Sequence, residues 1–333
     1  MAYNEGRNIA GMLASLSRQT VLDAPGHSIT VHVLPNGCRD ATAACAREAL
    51  DALVRDHPAV SVEVNEIVEA GKANAWNRFV HDFSAREADA LLFLDGDIVF
   101  GEAECIERVV RALEEHPEAV VAVDLPLKDI ATKSSLSVRE RMSLSASRVQ
   151  TAGPPKIAGS LYLARAAAVR AFWLPLGLIV EDGFVKAMLL TNCFREPENP
   201  AGIVRAQNAT HFFEAVTGFR AWFKHERRLV NGTAINILLF DLLHGLVQQG
   251  TDAGEYVRDR NRADRAWVSE LARSYRGSLP GGREFLTQPL AQLARLPKGA
   301  ALQTFPISLL RVILNVGVCL VCQSDVRAGR LRW

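Results

Sequence analysis

The chain has 333 residues, and its 38 Lys and Arg against 37 Asp and Glu give a formal net charge of +1 at neutral pH. This balance excludes a nucleic-acid-binding protein that relies on bulk positive charge. Apolar residues make up 49 % of the chain and charged residues 23 %, which excludes a mostly disordered protein. The six cysteines are too sparse for a disulfide scaffold, and we expect no secretory signal peptide, so the predicted setting is the reducing cytoplasm.

The first part of the chain shows alternating helical and strand periodicities. The predicted order is a helix at 5–19, a strand at 28–34, a helix at 42–56, a strand at 61–67, a helix at 72–83, a strand at 88–95, a helix at 103–116 and a strand at 119–124. This alternation predicts an α/β fold, a Rossmann-like, mainly parallel sheet with helices on both faces. Ligands of such sheets lie beyond the carboxyl ends of the strands, so the loops there are the candidate binding segments.

The remainder of the chain contains first a polar segment and then apolar helical segments. A polar, irregular segment is predicted to form a lid or an acceptor-facing loop at 125–155. A strand leading into a helix is predicted at 159–172, and a helix with an acidic start at 180–190. Two apolar helices are predicted at 234–247 and 305–322. We therefore expect a catalytic domain at 1–232 and a helical C-terminal region at 233–333.

Two aspartates close the most apolar predicted strand, LLFLDGDIVF. Asp95 and Asp97 are two positions apart, so on a strand both carboxylates point to the same side and can converge on one hard cation. Mg²⁺ or Mn²⁺ prefers such oxygen ligands and keeps coordination positions for phosphate oxygens. The alternative interpretation is a plain strand end at the surface, where Asp and Gly are common.

A second acidic pair, Glu181 and Asp182 in IVEDGFVKAML, opens a predicted helix. Acidic residues favour the first turn of a helix because of its dipole, so one interpretation is an ordinary helix start. The other is a carboxylate general base, which takes a proton from an attacking hydroxyl group. The pair alone does not decide between them.

Several segments together resemble the family 2 glycosyltransferases with the GT-A fold. They are YNEGRNI (3–9), NGCRDAT (36–42), GKANAWN (71–77), LDGD (94–97), GSLYLAR (159–165) and VEDGF (180–184). Their order and spacing match that family over roughly residues 1–232. The segment HERRLVNG at 225–232 resembles a degenerate Q-x-x-R-W motif, with Arg228 at the arginine place, Leu229 at the tryptophan place and His225 at the glutamine place.

The resemblance assigns the donor nucleotide to the N-terminal motifs. It implies that Tyr3, Asn4 and Glu5 lie along the nucleotide of a nucleotide-sugar. Asp40 would approach the base or the ribose, and Lys72 would contact the nucleotide side as well.

The resemblance also implies the residues of the reaction centre. Asp95 would touch the ribose and the metal ion, and Asp97 would be the main metal ligand on the diphosphate. Asp182 would be the catalytic base, with Glu181 beside it at the acceptor, and Arg228 would help to neutralise the leaving diphosphate.

The implied function is a metal-dependent hexosyltransferase of cell-envelope polysaccharide or glycolipid biosynthesis. It would move a sugar from a nucleotide-diphosphate sugar to a hydroxyl group of a saccharide or lipid, using Mn²⁺ or Mg²⁺. A UDP-sugar is the favoured donor. A single base opposite the leaving group implies in-line attack and inversion at the anomeric carbon. The rival interpretations are a nucleotidyltransferase, which would release pyrophosphate, and a non-catalytic nucleotide-sugar-binding or membrane partner protein.

The start of the chain departs from the family pattern. In the family the YNE motif follows a hydrophobic strand at the centre of the sheet, whereas here only Met1 and Ala2 precede it. Because a missing central strand would leave two unpaired strand edges, we expect the native protein to start upstream.

The apolar segment near the end of the chain, 305–323, approaches a bilayer span in length. Arg311 and Asn315 interrupt it, and basic residues follow at Arg327, Arg330 and Arg332, with Trp333 as an interfacial anchor. We expect a helix that packs against the domain or makes peripheral contact with the cytoplasmic face of the membrane, in preference to a true span.

Overall fold

The computed structural model describes residues 1–132, 153–216, 218–294 and 298–330. Most of the segment predicted to form a lid therefore lies outside the described residues. The chain divides into two compact units: the first comprises Met1–Leu174 and Val185–Thr217, and the second comprises Pro175–Phe184 and Gly218–Trp333.

The strands all belong to the first unit. They are β1 (Thr30–Val33), β2 (Ser61–Val64), β3 (Ala90–Leu94), β4 (Val99–Phe100), β5 (Val121–Lys128), β6 (Leu161–Arg165) and β7 (Ile203–Phe213). β1 and β2 pair in parallel, and the other strands form a sheet in the order β3-β6-β5-β7-β4. β5 and β7 are parallel, whereas β6 runs against β3 and β5. The predicted α/β class is confirmed, and the sheet is mixed because β6 and β4 are antiparallel to their neighbours.

The helices of the first unit lie close to their predicted positions. They are α1 (Ile9–Leu16), α2 (Thr42–Asp56), α3 (Lys72–Arg78), α4 (Cys105–Glu115) and α5 (Ala166–Val169). A π turn at Phe79–Phe83 continues α3. The apolar stripe of α1 packs on α2 and buries Ile9 and Leu13 against the same core as Leu50 and Leu53. Burying each of these side chains contributes about 1.5–3 kcal/mol.

A set of stacked aromatic rings fixes α3 against the sheet. The Trp76 ring stacks on Phe93 of β3, with centroids 5.6 Å apart, and on Phe172 at 5.3 Å. Trp76 Nε1 donates to the Tyr162 hydroxyl group at 2.7 Å, which satisfies the one polar atom of the buried indole. The first residue of α3, Lys72, is thereby held near the carboxyl end of β3.

Residues 1 and 2 connect the two sheets. Ala2 N donates to Leu34 O at 3.0 Å, just after β1, and the Met1 amino group donates to Leu94 O at 2.7 Å, at the end of β3. Ala2 also forms a parallel bridge with Pro35. The upstream strand expected from the sequence stays a prediction.

The second unit is helical, which confirms the predicted helical C-terminal region. It contains the start of α6 (Glu181–Leu190), and then α7 (Phe219–Gln248), α8 (Ala253–Ala263), α9 (Trp267–Ser274), α10 (Gly282–Ala294) and α11 (Lys298–Ala328). α11 packs on α7, α9 and α10. α7 runs without a break across residue 232, where the sequence predicts the domain boundary.

Within the described part of the chain, two helices are long and apolar enough to cross a membrane. The window in α7 has a mean hydropathy of 1.4 and is 50 % buried, as expected of a core helix. The window at Thr304–Ala328 in α11 has a mean hydropathy of 2.1 and is 24 % buried. Length and hydropathy alone do not separate a membrane helix from the core helix of a soluble protein.

Candidate functional site

The paired aspartates lie where the sequence predicts them, at the end of β3. Asp95 N donates to Ser160 O at 3.0 Å, which ties the strand end to the start of β6. Lys72 Nζ lies 2.7 Å from Asp95 Oδ1 and donates to Gly159 O at 2.9 Å. The negative charge of Asp95 is therefore compensated by Lys72, whose ammonium group is also hydrogen-bonded to the backbone.

Asp97 differs from its neighbour in its electrostatic surroundings. Burial, and then the negative charge of Asp95, raise the pKa of the Asp97 carboxyl group. In the described residues no ion pair involves the Asp97 carboxylate. A half-buried carboxylate beside a second one gains stability from any cation that binds there.

The YNE segment approaches this strand end closely. A Cβ atom added to Gly96 would lie 3.2 Å from Ala2 Cβ and 3.3 Å from Glu5 Cγ, so glycine is the residue that leaves room for the segment. Burial raises the pKa of Glu5; a hydrogen bond from Asn8 opposes this, and Asp97 is the largest of the negative charges that add to it. Glu5 is thus within electrostatic reach of the aspartate pair.

Asp40 holds the other side of the same segment. Its Oδ2 accepts from Gly6 N at 2.9 Å and its Oδ1 accepts from Thr42 N at 3.1 Å. The Thr42 hydroxyl group, followed by Gly6 N–H, lowers the pKa of Asp40. Thr42 Oγ1 in turn accepts from Glu5 N at 2.8 Å.

Asn4 and Tyr3 complete the group of predicted donor residues. Asn4 has a φ of 57°, and its Oδ1 accepts from Arg39 N at 2.9 Å. The Tyr3 side chain is 53 % exposed. Hydrogen bonds, an ion pair and electrostatic interactions therefore link the predicted residues of the first unit, which come from four parts of the chain: Tyr3, Asn4, Glu5, Asp40, Lys72, Asp95 and Asp97.

Asn36, the first residue of the NGCRDAT segment, organises this region, a role that the sequence did not assign to it. Its Nδ2 donates to Ala2 O at 2.9 Å and its Oδ1 accepts from Gly71 N at 3.1 Å. The side chain is 4 % exposed, so these bonds form away from water. Asn36 thereby joins the start of the chain to the residue that precedes Lys72.

A buried histidine network lies beside the aspartate pair. His211 Nδ1 and Asp124 Oδ2 are 2.6 Å apart, and both residues are almost completely buried. His211 Nε2 lies 2.9 Å from the Ser160 hydroxyl oxygen. Both ring nitrogens of His211 therefore have a polar partner, and Ser160 joins this network to Asp95 through its backbone oxygen. The sequence signal was an aspartate inside an otherwise apolar strand.

In the second unit, the turn that carries Glu181 and Asp182 is held by α7. Asp182 Oδ1 accepts from Gly183 N at 2.7 Å, and Glu181 is 3 % exposed. Asn236 Nδ2 donates to Val180 O at 3.1 Å, so the turn has a fixed hydrogen-bonded position on the helix.

Gly232 explains how closely α7 approaches that turn. A Cβ atom at this position would lie 2.3 Å from Val180 Cγ2. Positions 228, 232 and 236 are four residues apart and share one face of the helix. Arg228 therefore lies on the same face of α7 as Gly232 and Asn236, which contact the residue before Glu181.

The aspartate pair fits a magnesium or manganese ion that is shared with a substrate. Among the described residues no group of three or more His, Cys, Asp or Glu side chains could hold a metal ion alone. Nucleotide-bound Mg²⁺ is typically held by one or two carboxylates plus substrate phosphates. Asp97, whose pKa is raised by burial and by Asp95, is the residue whose charge such an ion would compensate.

Comparison with known proteins gives a family and a fold. Residues 1–159 match glycosyl transferase family 2. No curated protein matches the chain. The solved mannosyltransferase PcManGT from Pyrobaculum calidifontis, in complex with GDP-Man and Mn²⁺, is similar with a TM-score of 0.51 and 18 % identity, over 96 % of this chain and 84 % of that chain.

A second solved structure is less similar. Glucosyl-3-phosphoglycerate synthase from Mycobacterium tuberculosis, in complex with phosphoglyceric acid, gives a TM-score of 0.46 and 17 % identity, over 71 % of this chain and 76 % of that chain. The likeness to PcManGT shows the fold, and the family match covers both aspartates and Lys72. Residues 1–159 therefore match glycosyl transferase family 2, and the chain has the GT-A fold.

Proposed function

We propose that the protein is an inverting, metal-dependent hexosyltransferase. It moves a sugar from a nucleotide-diphosphate sugar to a hydroxyl group of a saccharide or lipid, and a UDP-sugar is the first donor to test. The observation that carries this proposal is the Asp95–Asp97 pair at the end of β3, inside the family 2 segment and beside Lys72.

We assign the donor to the first unit. Tyr3 offers an exposed ring on which a base can stack, and Asn4 and Glu5 follow it along the same segment. Asp40, held by Gly6 and Thr42, presents a carboxylate at the ribose or base. Donor recognition then depends on the backbone shape of this segment as much as on its side chains.

Asp97, with Asp95, would hold Mn²⁺ or Mg²⁺. The bound ion would supply positive charge that stabilises the leaving diphosphate. Lys72 carries a fixed positive charge to the same place, where it also keeps Asp95 oriented. The presence of Mn²⁺ in the PcManGT complex supports Mn²⁺ as the first ion to test.

We assign the acceptor chemistry to the second unit. Asp182 takes the proton from the acceptor hydroxyl group while the oxygen forms its bond to the anomeric carbon and the bond to the diphosphate breaks. Attack from the face opposite the leaving group inverts the anomeric configuration. Arg228 stabilises the negative charge of the diphosphate, and the nearly buried Glu181 lies beside the base at the acceptor.

We place this reaction in the cytoplasm, in the synthesis of cell-envelope polysaccharide or glycolipid. All six cysteines are free in the structure, which suits a reducing compartment. A lipid acceptor would bring the enzyme to the cytoplasmic face of a membrane.

Product analysis tests the proposal. The protein is incubated with UDP- and GDP-hexoses, Mn²⁺ and candidate acceptors, and the released phosphates are separated. We expect a nucleoside diphosphate and a glycoside of inverted configuration by NMR. Release of pyrophosphate would show a nucleotidyltransferase instead, and nucleotide binding without turnover would show a non-catalytic binding protein.

A variant separates the base from the donor site. We expect Asp182→Asn to abolish transfer while nucleotide binding stays unchanged. Asp241→Asn, which changes an exposed aspartate of α7, is the matched control and should keep full activity. Turnover by Asp182→Asn at the wild-type rate would overturn the assignment of the base.

A further inference from the structure

One face of α11 is apolar and exposed. Its most exposed large side chains are Phe305, Leu309, Leu310, Ile313, Val316 and Leu320. Most of them repeat at intervals of three and four residues, so they form one stripe along the helix, which we call the α11 apolar face. Ile313 is 61 % exposed and Leu320 is 69 % exposed, and side chains of this size are seldom so exposed as a contiguous group.

The opposite face of α11 is packed within the second unit. Val318, Cys322 and Val326 are completely buried. Asn315 Nδ2 donates to Phe285 O of α10 at 3.0 Å. Asp325, 1 % exposed, accepts from Arg227 Nε of α7 at 2.6 Å. Among the described side chains of α11, the apolar face is therefore the one open to an external partner.

The buried polar contacts of the packed face argue against a simple transmembrane helix. A span would carry the Asp325–Arg227 ion pair and the packed partner helices into hydrocarbon, where charged groups are costly. A helix with one apolar face and one face packed on protein can instead lie parallel to a membrane surface.

The charges of α11 specify the sign of that surface. Arg327 is exposed and follows Leu320 by seven residues, so it extends the α11 apolar face, whereas Asp325, the one acidic residue of the helix, is buried and paired. An exposed arginine at an apolar helix face is attracted to the anionic lipids of a cytoplasmic leaflet. A protein partner would need an acidic group to match it, but a lipid bilayer supplies both the apolar layer and the negative charge.

A cavity extends this face on the α10 side. It has a volume of about 590 Å³, and Val316 and Leu320 of the α11 apolar face line it together with Leu279 and Leu286. Arg283 and Glu284 also line it, so the hollow has one basic and one acidic group at its wall. A hollow of this kind can take part of an acyl chain, which a flat protein surface would leave unfilled.

We propose that α11 docks in the plane of an anionic lipid bilayer, with the α11 apolar face at the boundary between headgroups and acyl chains. The docking is peripheral, and the helical unit stays folded on the membrane surface. This inference concerns a surface of the second unit and goes beyond the proposed transfer reaction.

Vesicle flotation of the full chain tests the proposal. We expect the protein to float with phosphatidylcholine vesicles that contain about 30 % phosphatidylglycerol, and to bind pure phosphatidylcholine vesicles about 10-fold more weakly. The double variant I313S/L320S should lower binding to the anionic vesicles by about 10-fold or more. R327Q should weaken binding to the anionic vesicles alone.

Matched controls separate lipid binding from general effects. V68S removes a side chain that is 92 % exposed in the first unit and should leave flotation unchanged. The melting temperatures of all variants are compared, and L309S replaces the double variant if that one melts lower. Nucleotide binding is measured in parallel, so that a failure of the proposed function is seen separately.

Three results would overturn the proposal. The first is that the wild-type protein does not float with anionic vesicles, or that I313S/L320S floats with them as well as the wild type does. The second is a lipid-free dimer, seen by light scattering, that I313S/L320S dissociates, because the occupant would then be a second copy. The third is resistance of the vesicle-bound protein to carbonate extraction, which would indicate a span.

Discussion

Lys72 and Asp95 form an ion pair with 2.7 Å between Nζ and Oδ1. The lysine opens α3, which the stacked ring of Trp76 fixes to the sheet, and the aspartate ends β3. The positive charge is therefore positioned by the fold before any ligand binds. Of the two carboxylates at the strand end, Asp95 already has its charge compensated by Lys72, and Asp97 is the one whose charge a bound cation would compensate.

Replacing Lys72 should separate metal binding from nucleotide binding. In Lys72→Gln the site loses one positive charge, so the affinity for Mn²⁺ alone should rise, and the affinity for a nucleoside diphosphate without metal should fall, each by about 5-fold. Titration calorimetry measures both. Lys186→Gln, which removes a surface ion pair with Glu198, is the control. Parallel loss or parallel gain of both affinities would contradict this account.

Gly232 should be required for the shape of the second unit. In Gly232→Ala the new Cβ atom would meet Val180 Cγ2 at 2.3 Å, and we expect a destabilisation of about 1–3 kcal/mol and loss of transfer. Gly245→Ala lies on the same helix with nothing within 4 Å, and should stabilise by about 0.5–1 kcal/mol. Thermal melting compares the two, and equal melting temperatures would show that α7 does not clamp the turn.

His57 should make stability depend on pH. Its Nδ1 lies 2.7 Å from Asp23 Oδ1 and its Nε2 lies 2.8 Å from Ser17 O. Both partners accept, so both ring nitrogens donate, and the ring is charged. The hydrogen bond to Asp23 is the main reason that the pKa of His57 is raised above 6.5.

The sign of the effect follows from that direction. The stabilisation by the charged ring is fully present below pH 6.5, the unfolded value, and is lost as the pH rises through the higher folded pKa. The free energy of unfolding of wild type should therefore exceed that of Asp23→Asn by more at about pH 6 than at about pH 9. A difference between the two proteins that does not change with pH would refute the charged ring.

The buried His211–Asp124 pair should be costly to break. His211→Ala leaves the Asp124 carboxylate buried without the ring that it faces, and we expect a loss of about 3–5 kcal/mol in the free energy of unfolding. Asp124→Asn keeps an oxygen acceptor for His211 Nδ1–H and should cost less. Urea unfolding gives both values, and a cost below about 1 kcal/mol for His211→Ala would mean that the carboxyl group is protonated in the fold.

The regular part of the fold could be predicted because its pattern is local. The helix predicted at 42–56 is α2 with the same bounds, since alanine-rich periodicity and a following strand define both ends. The buried strand before Asp95 was equally clear, because its apolar run ends abruptly in polar residues. The place of the aspartate pair after the strand could be predicted, whereas the strand period does not apply to it, because both aspartates lie in the turn that follows β3.

The parts that were missed depend on tertiary contacts. β7, at Ile203–Phe213, contains polar residues in its middle and a positive φ at Asn208, so it lacks a clear strand period. The charged stretch at 252–267 contains α8, which begins after an Asp252 side chain that accepts from Glu255 N. His211 and Asp124 lie 87 positions apart and meet only because β5 and β7 pair.

Nucleotide-induced thermal stabilisation tests the central claim most directly. Wild type, Asp97→Asn and the control Asp51→Asn, an exposed aspartate of α2, are melted with UDP, GDP or CDP, with and without Mn²⁺. A nucleotide at 100 times its Kd should stabilise by about 2.7 kcal/mol. The account predicts a Mn²⁺-dependent shift for one nucleotide, kept in Asp51→Asn and lost in Asp97→Asn. No shift with any nucleotide in the folded wild-type protein would contradict it.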